Sequence, residues 1–320
     1  MQLYATHVGS FPLEHSRANL ERVISDLAGV GLDYVGYPQL RDFVGMYLEP
    51  LVSCGALRPA AAGFALLDRR ALLDACGERP PPVEEAVALR EAADRGVVRG
   101  RLKASVTGPF TLASQIYLGG QPSLSASALR DRGVVEALAE LVMGYLRGLE
   151  ELRYDVVVLD EPVLSVIVGR RVLFGYAGED LVDVLSAAVD GAKFEHVGVH
   201  VCGRLSPLLA RTLLSLEVDV LDHEHKDIPE NLGAYSREDL ESHGKFLSLG
   251  VVSSKSPRVE SVAEVREAIA EGLRLFGDRL LFVKPDCGFR GLRVPGREEE
   301  MYSAALEKLR RLVAALRSLS

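Results

Sequence analysis

The feature that most constrains this chain is a rhythm: eight short runs rich in β-branched residues recur between amphipathic stretches. They are LYATHVG (3–9), DYVGY (33–37), LKASVTG (102–108), DVVVLDE (155–161), HVGVHVC (196–202), VDVLDHE (218–224), FLSLGVV (246–252) and LLFVKPD (280–286). Between them, segments such as SRANLERVISDLAGVG and SVAEVREAIAEGLRLFG return an apolar residue every three or four positions, as on one buried helix face. Parallel strands need a crossover between each pair, and a strand count of eight favours closure over an open doubly wound sheet. The pattern predicts an α/β fold: a single-domain (β/α)8 TIM barrel over 1–320. The stretch from about 52 to 100, rich in Ala, Leu and Pro, is expected to be a helical insertion between strands 2 and 3.

Composition narrows the function. A net charge of −8 and a pI near 5.5 argue against an electrostatic grip on nucleic acid or an anionic membrane. Nowhere do eighteen apolar residues run together, and MQLYATHVGSFP has no basic stretch leading into an apolar one, so a cytoplasmic protein is expected. Four cysteines (Cys54, Cys76, Cys202, Cys287) are too sparse for a disulfide framework and are candidates for packing, ligation or nucleophilic chemistry. No GxGxxG or P-loop pattern follows a strand, so nucleotide binding has no support.

Active groups in such a barrel gather at the carboxyl ends of the strands. The fourth run ends in Asp160 and Glu161, the fifth in His200 and Cys202, the sixth in His223, Glu224 and His225, and the eighth in Asp286 and Cys287. His200 and Cys202 are two apart, so on an extended segment both side chains point the same way. With Glu224 and Cys287 they supply an imidazole, two thiolates and a carboxylate, a set suited to Zn²⁺ rather than to the oxygen-seeking Mg²⁺ or Ca²⁺.

Six motifs, in order, resemble those of the catalytic barrel of the cobalamin-independent methionine synthase family: VGSFP (8–12), TGPFT (107–111), LDEPVL (159–164), HVCG (200–203), SPRVES (256–261) and PDCGFRG (285–291). The resemblance covers almost the whole chain, and it implies a methyltransferase that forms methionine by methylating the thiol of homocysteine. It assigns the zinc ligands to His200, Cys202, Glu224 and Cys287. It also places backbone at Val8, Gly9 and Ser10 on the substrate carboxylate, and Asp160 on its amino group.

The departures from the family lie mostly on the donor side. There is no Trp anywhere, and Gln115 stands where the family stacks its folate; Val166 replaces a folate-touching glutamate, and Lys255 replaces a histidine proposed to protonate the leaving group. A second carboxylate expected near 38 is missing from YPQLRD, where Gln39 or Asp42 could substitute, with Arg41 a further candidate for the cavity wall. Retained thiol activation with lost folate contacts implies a folate-independent, core-type member whose donor is methylcobalamin or a methylated corrinoid protein. Lys255 reads as a solvated loop residue or a contact to a donor phosphate. HVCG is also similar to the HxCG of corrinoid-dependent methyltransferases that act on other thiols, such as coenzyme M. A reading of another class is a non-catalytic barrel with a structural zinc, since four protein ligands are the usual mark of a closed site. A metallohydrolase is disfavoured because such sites use His and carboxylate ligands with an open water position.

Overall fold

The computed structural model of the protein describes residues 2–119 and 121–319. Each of the eight runs coincides with a strand to within a few residues: β1 Tyr4–Ala5, β2 Tyr34–Gly36, β3 Arg101–Thr107, β4 Val156–Asp160, β5 His196–Val201, β6 Val220–His223, β7 Phe246–Val252 and β8 Leu280–Pro285. Consecutive strands pair in parallel from β2 through to β8, and β8 pairs in turn with β1. The remaining seam, between β1 and β2, is closed by fewer backbone bonds and by side chains. Asp33 N–H donates to Ala5 O at 3.0 Å, and Gln39 N–H to Gly9 O at 3.0 Å. Ala5 N–H donates to Asp33 Oδ2 at 2.7 Å, and Gly36 N–H to His7 Nε2 at 2.9 Å. Buried His7 therefore acts as an acceptor, and burial, with Lys103 nearby, lowers its pKa to about 3.

Side chains alternate across a strand, so positions two apart share the barrel interior. At the amino-terminal floor these positions carry Tyr34, Val156, Val158, Val220 and Phe282, a small apolar cluster distinct from the main core under the helices. Two residues further along the same faces sit Gly36, Asp160, Asp222 and Lys284. On β4, β6 and β8 the interior thus changes from apolar to charged over one step of the strand, and the charged level faces the mouth.

The helices form as their periodicity predicts. Arg17–Val30 starts at Ser16, whose hydroxyl accepts from Asn19 N–H, and it buries Leu20, Val23, Ile24 and Leu27 before Gly31 ends it at φ 84°. Val262–Phe276 opens with a Ser261–Glu264 capping box. The insertion before β3 contains the helices Arg69–Cys76 and Glu84–Asp94 and also an antiparallel hairpin, Leu57–Pro59 with Phe64–Leu66. The hairpin's second strand pairs in parallel with Ile116–Tyr117 beyond β3. The expected helices are present, and the expectation did not extend to this small sheet, because its strands are two or three residues long and their partner is remote in sequence. Among the described residues, no helix is long and apolar enough to cross a membrane.

Candidate metal centre at the barrel mouth

Register builds the site. Asp160 on β4 lies opposite His200 on β5, and His200 opposite Asp222 on β6. Cys202 follows the last residue of β5, and Cys287 comes two residues after β8. The structure brings three of the sequence-predicted ligands together: a nitrogen of His200 and the sulfurs of Cys202 and Cys287 all lie within 4.8 Å of one another. His200 Nε2 is 2.9 Å from Cys202 Sγ, which is 2.9 Å from Cys287 Sγ, a separation well beyond the ~2.05 Å of a disulfide bond. The fourth, Glu224, is 2 % exposed and is not part of this group; its Oε2 instead accepts from Lys255 Nζ at 2.8 Å.

The surroundings prepare the imidazole for a metal. Burial alone would raise the Asp222 carboxyl, but Lys284 and His200 outweigh it and hold Asp222 ionised, well below the usual carboxylate range. His200 Nδ1–H therefore donates to Asp222 Oδ1 at 2.6 Å, which leaves Nε2 as the atom facing the two sulfurs. Lys284, fully buried, supports Asp222 at 2.7 Å and also donates to carbonyls of His223, Pro285 and Asp286. Without an ion, burial works against a charge on His200, yet Asp222 pushes its pKa up to about 10. Between the cysteines, Cys287 accepts from Cys202 and is drawn below the ordinary thiol range, while Cys202 is raised well above it by that same partner. The donor set of one imidazole and two thiolates, with a carboxylate behind the imidazole, fits a zinc-type ion on geometry and chemistry.

The two carboxylates after β4 have different environments. Asp160 Oδ1 is buried with no hydrogen-bond partner among the described residues, and burial raises the Asp160 pKa to about 7 against the pull of His200. Asp160 Oδ1 therefore caps no turn among them. Glu161 does serve as a cap: it accepts from Phe110 N–H at 2.9 Å, Thr111 N–H at 2.8 Å and the Thr111 hydroxyl at 2.6 Å, holding the start of helix Pro109–Ser114. A Cβ on Gly108 would collide with Glu161, which explains the glycine in TGPFT.

Of the residues predicted to bind substrate, those after β1 lie beside the Cys287 loop. Ser10 O accepts from Phe289 N–H at 2.9 Å and Ser10 Oγ from Arg290 N–H at 3.3 Å, while Val8 O accepts from Ser105 Oγ at 2.7 Å and Gly9, at φ +139°, makes the turn. The others are committed to structural contacts. Gln39 is buried, donating from Nε2 to Ser105 O at 2.9 Å; Asp42 accepts from Gly45 N–H at 2.8 Å at the start of helix Gly45–Ser53; Arg41 forms a bidentate pair with Glu85. Gln115 contributes its carbonyl to the small sheet through Phe64 N–H, and Val166 is 63 % exposed. Neither reading of Lys255, solvated loop residue or phosphate contact, included its ion pair with Glu224.

Sequence reasoning missed the supports: Asp222, Lys284, Asn231 and the role of Asp286. Asp286 accepts the backbone N–H groups of His225, Lys226 and Asp227 at 2.5–2.9 Å and so fixes the loop carrying Glu224. Asn231 bridges Gly203 O and Glu224 O from one amide nitrogen and takes Leu205 N–H on its oxygen, joining the loops after β5 and β6. A signal for the first two was present, since LLFVKPD and VDVLDHE each place a charge inside an apolar run, and a buried charge requires a partner.

Comparison with known proteins shows the family and the fold. Residues 60–315 match the model of the family described as cobalamin-independent synthase, catalytic domain. A methionine synthase of Methanothermobacter thermautotrophicus is 29 % identical over 306 residues, covering 93 % of this chain and 88 % of that protein. A methionine synthase of Methanothermobacter marburgensis is 26 % identical over 317 residues, covering 97 % and 91 %. Among solved structures, a B12-independent methionine synthase from Shewanella sp. W3-18-1 in complex with selenomethionine superposes with a TM-score of 0.71 at 16 % identity, covering 98 % of this chain and 97 % of that one. The match across most of the chain, on a barrel of this architecture, places the protein in the cobalamin-independent methionine synthase family as a methyltransferase of the catalytic-barrel type.

Proposed function

We propose that this protein methylates the thiol of homocysteine to give methionine, with zinc held by His200, Cys202 and Cys287 and with Glu224 available as a further ligand. The observation that carries the reading is the convergence of one imidazole nitrogen and two sulfurs within 4.8 Å, next to a buried carboxylate oxygen on Asp160 that has no partner among the described residues. When bound, zinc would convert a thiol, whose pKa in water is about 8.5, into a thiolate at neutral pH. The chain's own residues do the rest. Asp222 keeps the His200 tautomer fixed, Asp160 takes the substrate ammonium, and the backbone of Val8, Gly9 and Ser10 takes its carboxylate, so that the sulfur is presented to the donor in one orientation. Substrate sulfur supplies the electron pair for the new S–CH3 bond, and the bond from methyl to donor breaks with its pair going to the leaving group.

For the donor, the family description favours a methyl-folate. The rim favours a methylated corrinoid: no Trp is available as a stacking platform, and exposed Val166 offers no polar contact to a pteridine. A departing cobalt centre also needs no proton, so a lysine in place of the family's acid histidine is no handicap. The test crosses homocysteine and coenzyme M against methylcobalamin and methyl-tetrahydrofolate, with zinc-loaded protein and mass spectrometry of the thiol. Methionine from homocysteine is expected, with methylcobalamin the better donor. Turnover with methyl-folate alone overturns the donor assignment, and no methylated thiol from any pair by fully zinc-loaded protein overturns the function.

A further inference from the structure

Glu224 is almost completely buried, and a buried carboxylate must be paired with a cation or ligate a metal. Two cations would compete for it: an ion held between His200, Cys202 and Cys287, and Lys255, already 2.8 Å from Oε2. We propose that Lys255 is a positioning residue that holds Glu224 back from the metal, so that the fourth coordination place stays open to the incoming thiol. This rests on the zinc reading above and goes beyond it by assigning a resting state to the fourth ligand.

The anchor of Lys255 is firm although its side chain is 58 % exposed. Its backbone N–H donates to Ser253 Oγ at 3.2 Å, as does that of Ser256 at 3.0 Å, and Ser253 Oγ itself donates to Asp227 Oδ2 at 3.0 Å. Ser253 N–H is held by Glu260, which pairs at 2.7 Å with the buried ammonium of Lys308 on the C-terminal helix. The loop that presents Lys255 is therefore bound to the same Asp227 segment that Asp286 fixes, and the long aliphatic stem delivers the charge to Glu224 from the solvent side.

Charge balance gives the arrangement its use. Zinc with two thiolates and a neutral imidazole carries no net charge, and adding the Glu224 carboxylate makes the centre an anion. Lys255 removes that need by neutralising Glu224 off the metal. With Glu224 paired to Lys255, a metal held by His200, Cys202 and Cys287 would have a place for a substrate thiolate with no carboxylate to displace, and the Glu224–Lys255 pair would persist as a neutral neighbour. Without the lysine, a metal held by His200, Cys202 and Cys287 would be the cation left for a stranded buried carboxylate, and its binding would close the site with a fourth protein ligand.

The test uses the full chain with Lys255→Met, which keeps the stem and removes the charge, and Lys255→Arg, which keeps the charge. Zinc affinity is read by chelator competition, the coordination shell by X-ray absorption, and homocysteine affinity by calorimetry. Lys255→Met is expected to gain an oxygen ligand, bind zinc about tenfold more tightly and bind homocysteine about tenfold more weakly, on the scale by which groups behind a ligand tune metal sites. Lys255→Arg should return all three toward wild type. Zinc bound to wild type and Lys255→Met with the same shell and affinities overturns the proposal alone, whereas wild-type protein that binds no zinc overturns the zinc reading and the proposal with it.

Discussion

His200 has two nitrogens and the fold gives each a separate task, so the residue behind it should matter nearly as much as the residue itself. Asp222→Asn replaces a carboxylate that accepts from Nδ1 at 2.6 Å with a neutral amide, and zinc affinity should fall by about 10–100-fold in chelator competition. Both this variant and Asp222→Ala should also lower folding stability by about 3–5 kcal/mol in urea titration, because each leaves Lys284 buried without its anion. Wild-type stability in both variants would show that Lys284 needs no counter-charge. Asp160 separates substrate recognition from metal binding. Asp160→Asn should retain full zinc content yet weaken homocysteine by about 10–100-fold, the worth of one charge-assisted hydrogen bond of about 1.5–3 kcal/mol, and an unchanged homocysteine affinity in calorimetry would remove Asp160 from the amino-group role. Sequence pattern reached His200 and Cys202 because a two-residue spacing on a strand puts both on one face. It missed Asp222 and Lys284 because they support a ligand rather than supply one, and no spacing rule marks such residues.

Strands close a barrel only if the last seam is satisfied, and here the β1–β2 seam depends on a histidine. His7 accepts Gly36 N–H through Nε2, which requires a neutral, correctly protonated ring, and its pKa of about 3 in the fold stands against 6.5 in the unfolded chain. The unfolded state therefore binds the extra proton between these values, so the contribution of His7 is complete above pH 6.5 and is lost progressively as pH falls toward 3. His7→Gln, whose amide oxygen can accept the same N–H, should flatten the dependence of unfolding free energy on pH across that window by up to one proton. An identical slope in both proteins would mean that His7 is already protonated in the fold. The run LYATHVG announces a strand but not this seam, since β1 itself is only Tyr4–Ala5 and its closing partners, Asp33 and Gly36, are distant in sequence. The same limit hid the hairpin at Leu57–Leu66: local pattern reads periodicity within a segment, whereas pairing with Ile116–Tyr117 is set by where the barrel brings the two segments. The alternation of strand and helix, by contrast, was legible throughout, because burial under helices requires a continuous apolar run such as VVVLD in each strand.

The molecule as a whole separates what holds it together from what it does. The helices bury a continuous apolar layer against the outside of the strands, Tyr34, Val156, Val158, Val220 and Phe282 fill the floor, and the charged groups occupy the level above. Small zinc domains use the ion to fold and unfold without it, but here the apolar layers are complete without any ligand. Chelation should accordingly leave far-ultraviolet circular dichroism unchanged while lowering Tm. The size of the drop follows from mass action: a ligand bound only by the folded state adds about 2.7 kcal/mol when free at a hundred times its Kd, and the gain grows with the logarithm of concentration. Tm should therefore rise with added zinc and fall to a fixed lower value in excess chelator. A Cys287→Ser variant should start near that lower value and respond less to zinc, because it lacks one of the converging sulfurs. Loss of helical signal on chelation would mean that the ion organises the barrel, which is the structural-zinc reading; a Tm indifferent to zinc in the wild-type protein would mean that the three donors do not act as one site.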